Sequence, residues 1–266
     1  MPGVGGRAGG TEVATVSHVG ELVHCSVEGG VATITLDSPA NRNALSRQLV
    51  SELHSALDRA EQPDVRAIVL THTGPTFCAG ADLKERSSTP ADSTPMARAI
   101  ERLGTSPAPT IAVVNGSVRA GGVGIMAACD LVVVATPVTF AFTEARIGVA
   151  PAIISVPILA RCNWSKLAAP FLTGETFDAA TAKDIGLVTH VTDDVVDTVD
   201  RLLAGVLAGA PGAVAATKRV LRQQQPSMAD MQALSEVLFG SAEAAEGMRA
   251  FVEKRPPSWA ARKDGA

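Results

Sequence analysis

Apolar residues fall into short runs with two different periods. ELVHCSVEG and GVATITLDSP, between residues 21 and 39, are β-rich runs that meet at Gly29-Gly30, a pair suited to a two-residue hairpin turn. Pro39 and Asn41 end the second run. From Ser46 onward, Leu49, Val50, Leu53 and Leu57 recur at helical spacing, leaving Glu52, Asp58 and Arg59 for the other face. RAIVLTH (66–72) predicts a buried strand, and TGPTFCAGAD follows it as a glycine-rich loop. TIAVVNG predicts a strand, AGGVGIMAACD a helix opening on glycines, and DLVVVA a strand. PVTFAFTEARIG predicts a further strand leading into a polar turn. The segment 152–186 reads as helical with breaks at Pro157, Pro170 and Gly174. LVTHV (187–191) is a last short strand, and 194–254 is Ala-rich helix interrupted at Pro211 and Pro226.

Strands alternating with helices, then helices alone, predict an α/β fold with a helical end. Three stretches follow: a flexible tail over 1–19, a core over 20–195 and a helical region over 196–266. SSTPADSTP (87–95) is polar and Pro-bearing but short, which predicts a mobile surface loop and not a domain boundary.

Composition narrows the class. Of 266 residues 46% are apolar but only 3% aromatic, with no Tyr and 24 Gly, so Ala, Val, Ile and Leu must fill a core of thin, closely packed layers. Few rings and a net charge of −4 argue against a single-stranded nucleic-acid binder. No run approaches the roughly 18 uninterrupted apolar residues of a membrane span. Residues 1–20 lack the continuous apolar stretch of a signal peptide. Cys25, Cys78, Cys129 and Cys162 form no CxxC and read as free thiols, which suits a cytoplasmic protein.

Several chemistries find no support. Gly122-Val-Gly124-x-x-Ala127 matches a dinucleotide fingerprint, but Gly116-Ser-Val-Arg-Ala intervenes after the strand where the first glycine should stand. There is no P-loop and no H-E-x-x-H, and the five histidines are scattered, so neither a cofactor nor a metal is expected. Ser117 lacks the G-x-S-x-G elbow. Cys78 and Cys129 have no His placed to activate them and read as small buried fillers.

Two segments say more. Phe77-Cys-Ala-Gly-Ala-Asp-Leu-Lys84 and Asn115-Gly-Ser-Val-Arg-Ala-Gly-Gly-Val-Gly124 each run from strand through a small-residue turn into a helix. Backbone N–H groups in such turns, converging on one point, would bind a carbonyl oxygen that becomes negative during reaction. For either turn alone, glycine's conformational freedom is a sufficient explanation.

Taken together, FCAGADLKE, VNGSVRAGGVGIMAACD and FTEARIGVAPA resemble three successive signatures of the crotonase superfamily, the enoyl-CoA hydratase/isomerase proteins. SPANRNALS and EGMRAFVEKRPPSW resemble its flanking elements, so the likeness runs from about residue 20 to 260. The resemblance implies a spiral of ββα turns with a C-terminal helical trimerisation region, assembled as a homotrimer or as a hexamer of two trimers. It implies an acyl-CoA thioester as substrate, coenzyme A being part of that substrate and no further cofactor. By match to the motifs, Ala81 and Gly121 N–H would form the oxyanion hole. The adenine side of coenzyme A would lie along Arg42–Ala44 and Ala79–Leu83 (Ala79, Gly80, Asp82, Leu83), with Gly122 and Thr143 also binding substrate and Lys254 reaching a phosphate. Asp82 also reads as a turn-fixing residue.

Hydratases of this family carry one glutamate in the second signature and one in the third. Glu144 supplies the third-signature acid, but Gly124 stands at the second. Three activities stay open. Glu144 alone serves hydration of a 2-enoyl-CoA, as in branches acting on branched or glutaconyl-type thioesters; or it shuttles a proton between C2 and C4 as a Δ3,Δ2-enoyl-CoA isomerase; or the protein binds acyl-CoA and catalyses little. Glu144 could instead be a loop carboxylate paired with Arg146 or Arg119. As a base it needs a raised pKa, for which Phe140, Phe142, Ile147 and Val149 offer an apolar surround.

Overall fold

The computed structural model describes residues 20–88, 92–223 and 225–260. The tail expected over 1–19 and residues 89–91 of the expected surface loop lie outside them.

β1 (Val23–Glu28) and β2 (Val31–Leu36) pair antiparallel, and Gly29 and Gly30 both take positive φ, 56° and 80°, as a two-residue turn requires. Ala32, Ile34 and Leu36 alternate into the core. α1 (Arg47–Ala60) begins where Ser46 Oγ accepts the Leu49 N–H, and its Leu49, Leu53 and Leu57 are fully buried.

A repeated step then builds the core. Each unit sends one strand to a large sheet, a short one to a small sheet, and helices back over them. The first is β3 (Ala67–His72), β4 (Thr76–Cys78), α2 (Leu83–Ser88) and α3 (Thr94–Thr105). The second is β5 (Thr110–Val114), β6 (Ser117–Arg119) and α4 (Gly121–Ala128). The third is β7 (Leu131–Ala135), β8 (Thr139–Ala141), a 3-10 turn (Glu144–Ile147), α5 (Ala152–Leu159) and α6 (Trp164–Thr173). β9 (Phe177–Asp178), α7 (Ala179–Asp184) and β10 (His190–Thr192) complete the sheets. The large sheet runs β1-β2-β3-β5-β7-β10, parallel except for β1, and the small one β4-β6-β8-β9, parallel except for β9. This is the α/β spiral of ββα turns.

Scarce aromatic residues are concentrated in the third turn, where the Phe142 ring lies 4.2 Å from Phe171 and 5.7 Å from Phe177. Elsewhere the layers are thin: α4 is buried continuously from Gly122 to Ala128.

α8 (Val195–Ala208), α9 (Pro211–Arg222), α10 (Met228–Phe239) and α11 (Ala242–Glu253) finish the chain. Arg66, just before β3, fastens them. Its guanidinium donates to the carbonyls of Leu207 (2.6 Å), Gly209 (2.7 Å) and Trp259 (2.6 Å). Among the described residues no single helix is long and apolar enough to cross a membrane.

Several elements differ from expectation. Both glycine turns follow three-residue strands, β4 and β6, that are too short to show a period, so the small sheet was not foreseen. Pro157 and Pro170 lie inside α5 and α6; each forfeits one backbone hydrogen bond, yet both are buried and the breaks fall after Leu159 and at Gly174. The last strand is 190–192, since Leu187 and Val188 are buried in the approach to it. The surface loop expected over 87–95 overlaps the end of α2 at Ser88 and the start of α3 at Thr94.

Candidate active site

Ala81 owes its orientation to a single bridge. Leu45 and Ala81 pair in parallel, with Leu45 N–H donating to Gly80 O (2.8 Å) and Asp82 N–H to Leu45 O (3.5 Å). In a parallel ladder the flanking groups bond the partner, so Ala81's own N–H points the other way. Gly80, at φ 88°, makes the reversal. The segment carrying Leu45 is anchored by Asn43, fully buried at φ 51°. Its Oδ1 accepts Ser38 N–H at 2.6 Å, and its Nδ2 donates to the carbonyls of Thr73 (3.1 Å) and Thr76 (2.8 Å).

Gly121 opens α4, where the first-turn N–H groups have no intrahelical acceptor. Ala120 before it has φ 46° and ψ −122°, a conformation costly for a residue with a Cβ, held by Ala120 N–H on Ala141 O (3.0 Å). The two turns touch. A Cβ on Gly80 would lie 2.8 Å from Ala120 Cβ and 3.3 Å from Gly121 N, and one on Gly121 would lie 3.7 Å from Gly80 Cα and 2.9 Å from Leu45 Cδ1. Only glycines allow this approach.

Glu144 begins the 3-10 turn after β8. It is half-buried, its Oε2 is fully buried without a hydrogen-bond partner among the described residues, and burial raises its pKa above the usual carboxylate value. Neither arginine proposed as its partner pairs with it: Arg146 Nε donates to Thr173 O (2.9 Å) and Arg119 Nη1 to Thr139 O (2.6 Å). A half-buried carboxylate outside any ion pair among the described residues suits proton transfer better than a structural salt bridge.

Ala81, Gly121, Thr143 and Glu144 line one cleft of about 1770 Å³, together with Ile147 and Val149. Phe140 and Phe142, also expected around the acid, are sealed in the core. Ala79, Asp82 and Leu83 line the cleft as well. Asp82 does fix its turn, accepting from Asn41 Nδ2 (2.8 Å) and the Lys84 N–H (2.9 Å).

Other expected site residues are elsewhere. Ala44 is buried, Gly80 serves through its backbone, and Gly122 packs against Cys78, its absent Cβ leaving room for that side chain. Arg42 is exposed at φ 52°, its carbonyl accepting Ala79 N–H (3.0 Å). Lys254 caps α11 and does not line the cleft of its own chain. Burial pushes the Cys78 and Cys129 thiols up to about 12, which removes both as nucleophiles at neutral pH. Among the described residues no cluster of His, Cys, Asp and Glu is arranged as metal ligands.

Sequence reasoning gave no cleft role to Leu45, Met96 or Ile154, although Leu45 lies within SPANRNALS. Ile154 matters most. A Cβ on Gly124 would lie 2.7 Å from Ile154 Cβ and 3.2 Å from its Cα, and nearer still to Cγ2. Ile154 of α5 therefore occupies, with an apolar side chain, the space that a side chain at position 124 would take.

Residues 26–262 match the family model described as enoyl-CoA hydratase/isomerase. The solved enoyl-CoA hydratase from Mycobacterium avium is 43% identical, with coverage of 90% of this chain and 98% of that one and a TM-score of 0.69. The one from Mycobacterium smegmatis is 32% identical, with 90% and 98% coverage and a TM-score of 0.82. Enoyl-CoA hydratase EchA19 of Mycobacterium tuberculosis is 33% identical over 254 residues, 87% of this chain and 93% of that protein.

Proposed function

The chain belongs to the enoyl-CoA hydratase/isomerase family of the crotonase superfamily and is an enzyme of that type; from that premise we propose that it hydrates a 2-enoyl-CoA thioester with Glu144 as its single acid–base. The observation that carries this reading is the buried, unpartnered Glu144 Oε2 in the cleft that Ala81 and Gly121 also line.

The thioester oxygen accepts the Ala81 and Gly121 N–H groups. Glu144, as carboxylate, takes a proton from the water whose oxygen bonds to C3. Electrons of the double bond move toward the thioester oxygen, where the two amides stabilise the enolate. Glu144 then gives a proton to C2 and returns to its starting form. One preorganised donor to such an oxygen is worth about 10² to 10³ in rate. The coenzyme lies along residues 42–44 and 79–83, and no group beyond the substrate's own coenzyme A takes part.

A second reading is favoured by Ile154, whose apolar wall stands where a water-holding acid would be. Glu144 then removes a proton from C2 of a 3-enoyl-CoA and returns it at C4, moving the double bond into conjugation. Incubation with crotonyl-CoA, 3-hexenoyl-CoA and 3-methylglutaconyl-CoA, followed by absorbance of the conjugated thioester, separates the two. Loss of signal with crotonyl-CoA or 3-methylglutaconyl-CoA supports hydration, and gain with 3-hexenoyl-CoA supports isomerisation. Silence with all three overturns both.

The same reading includes a homotrimer, or a hexamer of two trimers, through the C-terminal helices. Phe239, Phe251 and Val252 are 70%, 86% and 78% exposed there, a large apolar area for a single chain to leave in water. Light scattering that returns the 27.3 kDa mass of one chain would overturn it.

A further inference from the structure

Whatever fixes helix α4 along its axis also fixes Gly121, its first residue. The helix has 8 residues, a length of about 12 Å at 1.5 Å per residue. Its C-terminal carbonyls are buried and must find partners. Each does. Met126 O accepts Cys129 N–H (3.1 Å) and Ile125 O the Cys129 thiol (3.8 Å). Arg161 Nη1 donates to the carbonyls of Ala127 (3.0 Å) and Cys129 (3.1 Å), and Arg222 Nη2 to that of Ala128 (2.7 Å).

Arg161 follows α5, whereas Arg222 ends α9, 94 residues beyond Ala128. Asp130 holds Arg222 in place through Oδ1 (2.8 Å). Its Oδ2 accepts from the buried Lys218 ammonium (2.8 Å) and the Thr110 N–H (2.8 Å). Two cations, Lys218 and Arg222, thus pair with Asp130, and Arg161 joins them at the negative pole of α4, the sign that complements the helix dipole.

We infer that Arg222 and Arg161 are positioning residues for the Gly121 N–H, clamping α4 from its far end. Through Arg222 the C-terminal helices control the reaction centre, although none of their described residues lines the cleft. The inference rests on the proposed role of Ala81 and Gly121 toward the thioester oxygen.

Arg222→Met is compared with Arg222→Lys and with Leu221→Ala on the same helix, a side chain 81% exposed. One readout is kcat and KM for whichever enoyl-CoA reaction the wild type performs. The other is the spectrum of a bound enoyl-CoA bearing an electron-donating aryl group, which shifts to the red when its carbonyl accepts strong hydrogen bonds. Arg222→Met lowers kcat about 10- to 100-fold, the scale of a donor displaced by up to 1 Å, and weakens the red shift, with KM within about threefold. Arg222→Lys recovers part of both losses, and Leu221→Ala matches wild type.

An Arg222→Met enzyme with full kcat and full red shift overturns the inference, as does an equal loss in Leu221→Ala. If Arg222→Met does not fold, Arg161→Lys is read by the same spectrum, where an undiminished shift overturns it. A wild-type enzyme that binds the probe without a red shift overturns instead the assignment of Ala81 and Gly121.

Discussion

Ile154 and Gly124 are packed so closely that no side chain on residue 124 fits, a Cβ there lying 2.7 Å from Ile154 Cβ. The pair therefore changes only together. Gly124→Glu alone loses about 1–3 kcal/mol to overpacking, with a further cost for the acid it brings into an apolar wall. Gly124→Glu with Ile154→Gly, which removes both the Cγ2 and the Cβ that the new side chain would meet, recovers part of the packing loss. Denaturant midpoints of the wild type and the two variants test this, and a single variant as stable as wild type would refute it.

Glu144→Gln removes the proposed proton carrier without changing its shape. Turnover falls about 10²- to 10⁴-fold, the usual worth of a positioned acid–base, while acyl-CoA affinity is kept. A variant with full turnover ends the catalytic assignment.

The same substitution has a signed effect on stability. Burial raises the Glu144 pKa above its usual 4.5, so the folded state binds the proton more tightly than the unfolded chain. Stability from this group is therefore greatest at low pH and falls as pH rises from about 4.5 through the folded-state pKa. At neutral pH Glu144→Gln melts higher than wild type, and below pH 4.5 the advantage disappears. Melting curves at the two pH values check it; an equal gain at both would contradict the burial argument.

Gly80→Ala strikes both turns at once, because residue 80 sits at φ 88° and its new Cβ would meet Ala120 Cβ at 2.8 Å. Backbone strain of about 1–3 kcal/mol follows. Displacing the amides of Ala81 and Gly121 lowers kcat by about 10² or more. Steady-state kinetics on folded protein measure it, and unchanged kcat would show that the two turns can separate without cost.

Arg66→Ala loses three charge-assisted hydrogen bonds to the C-terminal segment. A stability loss of about 2–4 kcal/mol is expected in urea denaturation. A loss below about 0.5 kcal/mol, within the usual range of a surface substitution, would make the strap ornamental.

Legibility from sequence followed the length of each signal. The hairpin at Gly29-Gly30 and the amphipathic α1 were readable because several positions repeat one period. β4 and β6 were not, since three residues cannot display alternation, and their place depends on pairing with strands far along the chain. In the cleft, Ala81 and Gly121 were found only through motifs, because backbone donors carry no side-chain signature. Glu144 was named by motif, but its partial burial depends on how the turn after β8 packs. Ile154 carried no sign of a cleft role; its meaning comes from facing Gly124, thirty residues earlier.

The Arg66 strap also has a consequence for synthesis. A polypeptide leaves the ribosome N-terminus first, and the strands of the large sheet can join in nearly the order in which they emerge. Arg66 cannot complete its contacts then, because the Trp259 carbonyl is 193 residues downstream. Closure of this fold thus waits until residue 259 has been made. A nascent chain stopped short of residue 259 would leave the ribosome with its sheets assembled and its last fastening undone.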